Sequence, residues 1–484
     1  MSASQVTFLS HPEMLFIGGR WVEPSTDAAF SVVNPATGET VATVAEAREQ
    51  DMDRAITEAD SAFRIGPWPR MTLGERLTVL ERWAEAIEAR QRDMALAPTS
   101  QIGIPVSFAR VVAGSAAKVL RQAIGYARDY RFEEERPAAG GVAKLRREPV
   151  GVVAAIVPWN HPSALGMNKM APALAAGCTV VVKPSPEAPL DSLIMAECAE
   201  QAGFPDGVLS ILTAGREIGE QLVSDPRVDK VSFTGSTAAG KRIGAICMER
   251  VARVTLELGG KSAAIVLDDV PTEVAVRGIV GQSTLFNGQA CMGLTRILVS
   301  RAREAELITA LAAAYDALTV GDPMDEATRI GPVASLAQAA RVAGYIESGK
   351  QEGARLITGG TVDGCFVKPT VFAGATNDMR IAKEEIFGPV ITIIAYDDID
   401  DAIAIANDSP YGLSGAVFTL DAEKAQAVAA RVRSGSVAQN GIGPQGGLPF
   451  GGFKQSGLGR ECSPEVMDSY TELKTVYVVQ AQPV

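Results

Sequence analysis

Apolar residues follow two different spacings along the chain, and the change falls near residue 150. Before that point, the segments 45–63 and 73–97 carry apolar residues at helical spacing, which predicts helices. Beyond Gly151, short apolar runs alternate with helical stretches, and these runs lack the period-two alternation of a strand with one exposed face. Such runs predict strands that are buried on both faces of a parallel sheet.

The predicted strands fall into two sets. The first set covers residues 152–157, 178–182, 208–212, 230–233 and 253–258, and the second covers residues 262–267, 296–299, 391–396 and 416–419. Spacings of about 20 to 30 residues fit βαβ units, so we expect two α/β blocks in series. The charged segment 131–149, which contains Pro137, Gly140 and Gly141, interrupts this order, and we expect it to leave the core. Residues 474–479 alternate and are rich in β-branched side chains, which predicts a final strand.

The composition of the chain excludes several classes of function. The chain has 484 residues and a net charge of −12, so it repels phosphate backbones and we expect no nucleic-acid partner. No apolar run has membrane-spanning length, and residues 1–13 do not resemble a signal peptide. Six scattered cysteines indicate reduced thiols, so we expect a cytoplasmic protein without a membrane partner. The two histidines, His11 and His161, argue against a metal site and leave proton transfer to a carboxylate, lysine or thiol.

Two segments have features of phosphate or ligand sites. Residues 233–240, FTGSTAAG, follow a predicted strand and lead into a helical pattern. Gly235 would let the backbone approach a phosphate, but Thr237 replaces the middle glycine of G-x-G-x-x-G, so an ordinary turn fits equally. Lys183 ends another predicted strand, at the edge where α/β folds bind ligands, although such a lysine is also typical of a sheet edge.

Glu257, in the sequence ELGGK, ends a predicted strand and has three interpretations. A carboxylate at an apolar strand end could have a raised pKa and act as a general base. It could also form a structural ion pair with a nearby lysine. Because it lies 22 residues after Gly235, it could instead be the ribose carboxylate of a dinucleotide fold.

Two further side chains are candidates for covalent chemistry. Cys291, in FNGQACMG, is flanked by small and polar residues and could be an exposed nucleophile, although most single cysteines are buried and inert. Asn160, in PWNHP, could donate to a developing oxyanion or could be a turn asparagine. The glycine-rich aromatic segments 383–390 and 448–457 are also typical of tightly packed loops.

In their order and spacing, these segments together resemble the aldehyde dehydrogenase superfamily, from about Phe16 to Val479. The resemblance implies an α/β fold with two Rossmann-type α/β domains and a small β oligomerisation arm. It places a dinucleotide-binding domain at 1–127 and 150–256, a catalytic domain at 257–450, and the arm at 128–149 and 465–484. It also implies a homodimer or homotetramer.

The resemblance implies a role for each motif. Cys291 corresponds to the nucleophile, Glu257 to the general base, and Asn160, with the backbone N–H of Cys291, to the oxyanion hole. Residues implied to contact the cofactor are Pro158, Trp159, Lys183, Gly235, Ser236, Glu385 and Phe387. Residues at positions linked to proton relay in some relatives are Lys169 and Glu461.

The implied reaction is oxidation of an aldehyde to the carboxylic acid with NAD or NADP, through a thiohemiacetal and a thioester on cysteine. Two alternatives are a CoA-acylating dehydrogenase and a non-catalytic structural protein of the same fold. Acylating relatives usually lack the carboxylate of Glu257. A structural homologue would not be expected to keep Cys291, Glu257 and Asn160 together.

The chain departs from the family pattern in two places. Many NAD-preferring relatives carry a glutamate three residues after the lysine, whereas this chain has Pro186 there and Glu187 one place later. We expect NAD, with NADP as the alternative. The second departure is a set of small side chains near the pocket, which predicts a medium-sized apolar, terpenoid or aromatic aldehyde; the pocket positions are His161, Ser163, Ala164, Leu165 and Asn168, with Phe450 and Met292.

Overall fold

Two central sheets organise the chain, as the change in apolar spacing predicts. The structure is a computed structural model that describes residues 8–139, 141–441 and 445–479. Gly140 and residues 480–484 of the predicted arm therefore lie outside the described residues, as do residues 1–7 and 442–444 of the two predicted domains. Among the described residues, no helix is both long and apolar enough to cross a membrane.

The strands, in chain order, are β1 (Leu15–Ile17), β2 (Arg20–Val22), β3 (Ala29–Val33), β4 (Thr40–Ala45), β5 (Glu133–Ala138), β6 (Gly141–Pro149), β7 (Val152–Ile156), β8 (Thr179–Lys183), β9 (Leu209–Ile211), β10 (Lys230–Thr234), β11 (Arg253–Glu257), β12 (Ser262–Val266), β13 (Leu294–Ser300), β14 (Arg355–Thr358), β15 (Val362–Asp363), β16 (Phe366–Val367), β17 (Thr370–Ala373), β18 (Val390–Tyr396), β19 (Gly415–Phe418), β20 (Ala438–Gln439), β21 (Gly457–Leu458) and β22 (Thr471–Val479).

The α-helices are α1 (Glu49–Arg64), α2 (Leu73–Ala89), α3 (Gln91–Ile102), α4 (Val106–Val112), α5 (Ser115–Asp129), α6 (Pro162–Ala176), α7 (Leu190–Ala202), α8 (Arg216–Ser224), α9 (Thr237–Glu249), α10 (Thr272–Ser283), α11 (Glu304–Asp316), α12 (Leu336–Gln351), α13 (Arg380–Lys383), α14 (Ile399–Asn407) and α15 (Ala422–Ala429). Short 3-10 helices cover Trp68–Arg70, Leu285–Gly288, Lys454–Ser456 and Pro464–Tyr470.

The first sheet has eight strands in the order β2-β1-β9-β8-β7-β10-β11-β21, and its five central strands, β9 to β11 in this order, run parallel. The second has seven strands in the order β14-β17-β18-β13-β12-β19-β20, parallel except for β14. Helices pack on these sheets, and every residue of β8, β10 and β12 is buried. The α/β fold with Rossmann-type sheets is confirmed, and so are all nine predicted strands, with ends shifted by at most two residues.

The predicted excursion and the final strand come together. β5, β6 and β22 form a three-stranded antiparallel sheet in which Lys474 pairs with Arg146 and Thr471 with Pro149. β5 is largely exposed and β6 mostly half-buried, which agrees with a segment that leaves the core. The domain boundaries remain a prediction.

The helical segments differ from the predicted spans at their ends. Residues 45–63 begin as strand β4, and the helix starts only at Glu49. The segment 73–97 is two helices, because the chain turns at Arg90, whose ψ of 19° departs from helical geometry. Both helices bury apolar residues chiefly against neighbouring helices, α2 against α5 and α7, and α3 against α4 and α7.

A short strand from the C-terminal part of the chain completes the first sheet. β21 pairs antiparallel with the end of β11, so that Gly457 lies opposite Glu257. A Cβ atom on Gly457 would lie 1.9 Å from the carbonyl oxygen of Leu256, and its φ of 144° is also unfavourable for other residues. Glycine thus allows the two backbones to meet where β11 ends, which is where the candidate site lies.

Candidate active site

Three parallel strands of the first sheet end at one edge and deliver three predicted site segments there. β7 leads to Asn160, β10 leads to the turn at Gly235 and Ser236, and β11 ends at Glu257. The N–H of Gly235 donates to the carbonyl of Glu257 over 3.0 Å, which ties the turn to the neighbouring strand. Parallel strands bring their carboxyl ends together, so the topology explains why these distant segments converge.

One cavity opens at this edge, and most of the predicted site residues line it. The lining residues are Pro158, Trp159, Asn160, Thr234, Gly235, Ser236, Leu258, Gly259, Cys291, Gln338, Arg341, Glu385 and Phe387. The candidate nucleophile and the candidate cofactor turn therefore share one cavity.

The segment before Cys291 has an unusual backbone. Phe286 and Asn287 have φ angles of 51° and 60°, in the left-handed region that non-glycine residues seldom adopt. The Asn287 side chain holds this conformation by donating to the carbonyls of Gly103 and Pro332, at 2.8 and 2.9 Å, and by accepting from the N–H of Gly331 at 2.9 Å. Strain of this kind persists where the surroundings fix the backbone, and here it positions Cys291 at the cavity.

Asn160 is held against the same segment. Its Nδ2 donates to the carbonyl of Gln289 over 3.0 Å, and Gln289 Oε1 in turn accepts from the N–H of Ala334 at 2.9 Å. A side-chain amide has two N–H groups, so one orients Asn160 and the other is left to donate to a ligand. Asn160 is only 7% exposed, which would strengthen such a hydrogen bond.

The Cys291 thiol sits in a region that disfavours its ionised form. Burial, together with the nearby carboxylates of Glu385 and Glu257, raises its pKa to about 12. A thiol with this pKa carries its proton at neutral pH. Nucleophilic attack by Cys291 therefore requires a group that removes the proton.

Glu257 has the environment of such a base. It is 3% exposed, and neither carboxylate oxygen accepts a hydrogen bond from a residue that the structure describes. Burial raises its pKa well above the usual range, and the charge of Glu461 adds to the effect, while Lys169 and Arg460 oppose it. A carboxylate destabilised in this way is a stronger proton acceptor than a solvated one.

A buried ion pair lies behind Glu257. Lys169 Nζ donates to Glu461 Oε1 at 2.8 Å, and both side chains are almost completely buried. Ser232 Oγ donates to the same carboxylate oxygen at 3.3 Å. The two residues predicted to relay protons thus contact each other, outside the cavity lining but close enough to affect the pKa of Glu257.

Glu385 and Phe387 form the opposite wall of the cavity. Glu385 Oε1 accepts from the N–H of Gly260 at 3.0 Å, and burial raises the pKa of Glu385 to about 7. A Cβ atom on Gly259 would lie 2.4 Å from Glu385 Oε2, so glycine is needed for this approach. Phe387 packs edge-on against Trp159 with ring centroids 5.3 Å apart.

Lys183 is the one predicted cofactor residue that lies outside the cavity lining. Its Nζ donates to the carbonyl of Pro184 at 3.1 Å. Burial lowers its pKa to about 8, and the nearby carboxylate of Glu187 opposes that change. Glu187 also accepts a hydrogen bond from Ser185 Oγ. The departure from the family pattern thus leaves a carboxylate beside the lysine.

The sequence analysis does not identify two residues, Gln338 and Arg341, that line the cavity. Gln338 Nε2 donates to the carbonyl of Phe387 at 2.7 Å, and Arg341 Nη2 donates to the carbonyl of Glu385 at 2.7 Å. Both lie on α12, and nothing in the spacing of that helix distinguishes them from ordinary surface positions. They brace the backbone that presents Glu385 and Phe387 to the cavity.

The turn at Gly235 offers groups suited to a phosphate. Ser236 lines the cavity and caps α9, where its side chain accepts from the N–H of Ala239 and the other N–H groups of the first turn are available to an anion. The hydroxyls of Thr234 and Thr237 are buried and have no hydrogen-bond partner among the described residues. These orphaned groups and the helix terminus fit the pyrophosphate of a dinucleotide.

The model of the aldehyde dehydrogenase family matches residues 21–476, nearly the whole chain. The chain belongs to the aldehyde dehydrogenase family. As an aldehyde dehydrogenase it is an oxidoreductase, and the α/β architecture and the arrangement of the cavity agree with that assignment.

Characterised relatives extend over the same length. A geranial dehydrogenase from Castellaniella defragrans is 46% identical over 471 residues, covering 96% of this chain and 98% of that protein. The crystal structure of a Mycobacterium tuberculosis aldehyde dehydrogenase complexed with NAD+ is 42% identical, with a TM-score of 0.94, and covers 98% of this chain and 99% of that one. A mutant aldehyde dehydrogenase C from Pseudomonas syringae, complexed with NAD+ and octanal, is 39% identical, with a TM-score of 0.93, over 96% and 97% of the chains.

Proposed function

We propose that this aldehyde dehydrogenase oxidises its substrate to the carboxylic acid with NAD, through a covalent intermediate on Cys291. The observation that carries the proposal is the shared cavity, in which Cys291 and Asn160 lie beside the Gly235–Ser236 turn, with the buried carboxylate of Glu257 behind. NAD bound there would accept a hydride from the aldehyde carbon. An assay of NADH formation with the Cys291 and Glu257 variants argued in the Discussion tests it.

Each of these residues has its own role in the proposed reaction. Glu257 takes the proton of the Cys291 thiol, and the sulfur attacks the carbonyl carbon to form a thiohemiacetal. The negative charge that develops on oxygen is met by Asn160 Nδ2 and the backbone N–H of Cys291. Loss of hydride converts the thiohemiacetal into a thioester. A water molecule that Glu257 deprotonates then attacks the thioester, the carbon–sulfur bond breaks, and the acid leaves.

Other residues would hold the coenzyme. Gly235 and Ser236 would bind the pyrophosphate at the start of α9, Lys183 and Glu385 the two riboses, and the Trp159–Phe387 pair, with Pro158, would flank the coenzyme. The pair Lys169 and Glu461 would pass protons from Glu257.

Coenzyme choice can be tested at Glu187. We expect Glu187→Gln to raise kcat/KM for NADP relative to NAD by about tenfold, because the carboxylate beside Lys183 would repel a 2′-phosphate. Steady-state rates with both coenzymes measure the ratio. Glu200→Gln, an exposed carboxylate on the adjacent α7, is the control. An unchanged ratio in the Glu187 variant would show that Glu187 does not select the coenzyme.

We propose a medium-sized apolar or aromatic aldehyde as substrate. The names of the geranial dehydrogenase and the octanal complex give this class for two relatives. In this chain Ala164 and Asn168 are small and buried, and Asn168 lines a small cavity with Tyr126 and Cys462. The cavity has room for about one water molecule, and a bulkier side chain at position 168 would fill it.

The substrate class can be tested by filling that room. We expect Asn168→Trp to lower kcat/KM for decanal at least about tenfold, while the value for acetaldehyde changes much less, because a bulky side chain excludes only the longer substrate. Initial rates across a chain-length series measure this, with Asn168→Leu as a control of similar volume. Acetaldehyde as the best substrate of the unsubstituted enzyme would contradict the proposal.

We also propose a homodimer or homotetramer. α9 buries only Gly240 and Cys247, and near its end Met248 and Val251 are 58% and 84% exposed. Leu473 and Tyr477 of the three-stranded sheet are 58% and 75% exposed. Apolar side chains in such number are typical of an interface. Sedimentation velocity should give two or four times the 50.7 kDa chain mass, and a single 50.7 kDa species would contradict this.

A further inference from the structure

A second, smaller cavity lies on the far side of the Gly259–Gly260 segment from Cys291. It is bounded by the starts of β12 and β13 and by the loops that follow α14 and α15, and it has room for one particle of about the size of a water molecule. Its polar lining is Lys261, Ser262, Arg296, Tyr411, Ser414 and Ser434. No residue given a role in the proposed reaction is among them.

Arg296 contributes a buried positive charge that touches no carboxylate. It is 2% exposed, and its guanidinium donates to the carbonyls of Lys261, Ile405 and Ala406 at 2.8 to 3.0 Å and to the side-chain oxygen of Asn377 at 2.9 Å. These acceptors engage four of its five N–H groups but are electrically neutral. The charge of Arg296 is therefore not balanced within its hydrogen-bonding shell.

Lys261 brings a second positive charge to the same cavity. It is 3% exposed, and its Nζ has no hydrogen-bond partner among the described residues; the same holds for Ser262 Oγ beside it. Burial, together with the charge of Arg296, lowers the pKa of Lys261 to about 7. A buried ammonium without a partner is costly, and a counter-ion removes that cost.

The wider surroundings are positive as well. Lys454 Nζ lies near Arg296 and Arg433 and donates to the carbonyls of Asn407 and Ser409. Asp408 is the carboxylate that acts on both Arg296 and Lys454, and it accepts a hydrogen bond from Asn377.

The carboxylates near Lys261 are engaged elsewhere. Glu385 and Glu384 both favour the charged form of Lys261. Glu385 accepts from the N–H of Gly260, and Glu384 accepts from Tyr345. Neither lines the cavity, so nothing in its lining neutralises the two buried cations.

We propose that this cavity is a binding site for a small monovalent anion of the size of chloride or bromide. Lys261 Nζ and Ser262 Oγ are the free donors that would hold it, and Arg296 supplies the second positive charge. The room for one small particle excludes a phosphate ester or a nucleotide. The lining of the site is separate from that of the proposed catalytic cavity, so the test of the anion site and the test of the proposed reaction can fail independently.

The direct test is a crystal of the unsubstituted enzyme soaked in sodium bromide. We expect an anomalous difference peak in the cavity, within hydrogen-bonding distance of Lys261 Nζ and Ser262 Oγ. Absence of a bromide peak there at a concentration that labels surface sites would overturn the proposal. This measurement does not depend on the folding of any variant.

A test in solution compares the Tm of the enzyme in sodium chloride with its Tm in sodium gluconate at equal ionic strength. We expect chloride to raise the Tm saturably, because a ligand that binds the folded state stabilises it. Lys261→Met should abolish this difference and Ser262→Ala should shift it to higher chloride concentration, whereas Lys383→Met, which removes an exposed lysine, should retain it. The same chloride effect in Lys261→Met would overturn the proposal.

Discussion

Replacing Cys291 by alanine is expected to lower kcat for NADH formation by at least about 10⁴-fold, because the described residues that line the cavity include no other thiol, and their hydroxyl groups are much weaker nucleophiles than a thiolate. The backbone N–H at position 291 and the cofactor residues remain in this variant. The dissociation constant for NAD should therefore stay within about threefold of the original value, which is less than about 1 kcal/mol. Stopped-flow absorbance of NADH measures the first quantity, and fluorescence titration with NAD measures the second.

The other cysteines provide the control for this experiment. Cys462 is also half-buried, and burial raises its pKa to about 12, as for Cys291. It does not line the catalytic cavity, so Cys462→Ala should keep kcat within a few-fold of the original value. Activity that survives in the Cys291 variant but disappears in the Cys462 variant would contradict the proposed mechanism.

The apolar pattern alone predicts much of the fold. Strands such as β8 and β12 are buried along their whole length, so their sequences are continuous apolar runs that differ plainly from the adjoining helices. Edge strands offer no such signal. β2 and β3 are short and partly exposed, and their apolar and polar residues follow no clear period, so the sequence analysis does not predict them.

The candidate site is harder to predict, because the function of each residue depends on which other residues lie beside it. Cys291 by its local sequence is as consistent with an inert thiol as with a nucleophile. Asn160 and Glu257 lie near Cys291 because the strands that precede them end at the same edge of the sheet. The local sequence around each residue does not show this. Gln338 and Arg341 act through backbone carbonyls on another loop, so their contribution depends on tertiary contacts alone.

Lys183, which ends β8, shows how far a residue's role can be inferred from a family motif alone. The pattern places Lys183 with the cofactor groups, and the structure puts it near them, but with its Nζ turned to the carbonyl of Pro184. Pro186 stands at the position of the family's glutamate, and Glu187, one place later, keeps a negative charge close enough to favour the charged form of the lysine. The sequence shows that the acidic residue is displaced, but only the fold shows that its charge still acts on the lysine.

Replacing Glu257 by glutamine is expected to lower the steady-state kcat by about 10² to 10⁴-fold, the usual contribution of a general base. The substitution keeps the shape of the side chain and removes its capacity to accept a proton. Activation of water for thioester hydrolysis should suffer most, since water is a weaker nucleophile than a thiolate. Rapid mixing should therefore show a burst of NADH of up to one equivalent per active site, followed by slow turnover.

The pH dependence distinguishes a base from a merely structural carboxylate. Burial and Glu461 raise the pKa of Glu257, so its basic form is lost as pH falls through that raised value, and kcat/KM of the original enzyme should fall with it. In the glutamine variant this acidic limb of the pH profile, the fall in kcat/KM at low pH, should disappear. Because burial still raises the pKa of Cys291 above its usual range in this variant, the rate should instead rise about tenfold per pH unit through the neutral range, following the thiolate fraction.

Glu385→Gln is the matched control for that profile. It alters a half-buried carboxylate near Cys291, one that faces the proposed coenzyme site instead of the end of β11. It should raise KM for NAD and keep the limb that belongs to Glu257, because the proton acceptor is intact. Loss of the limb in the Glu385 variant, with its retention in the Glu257 variant, would reassign the base to Glu385, whose own pKa burial raises to about 7.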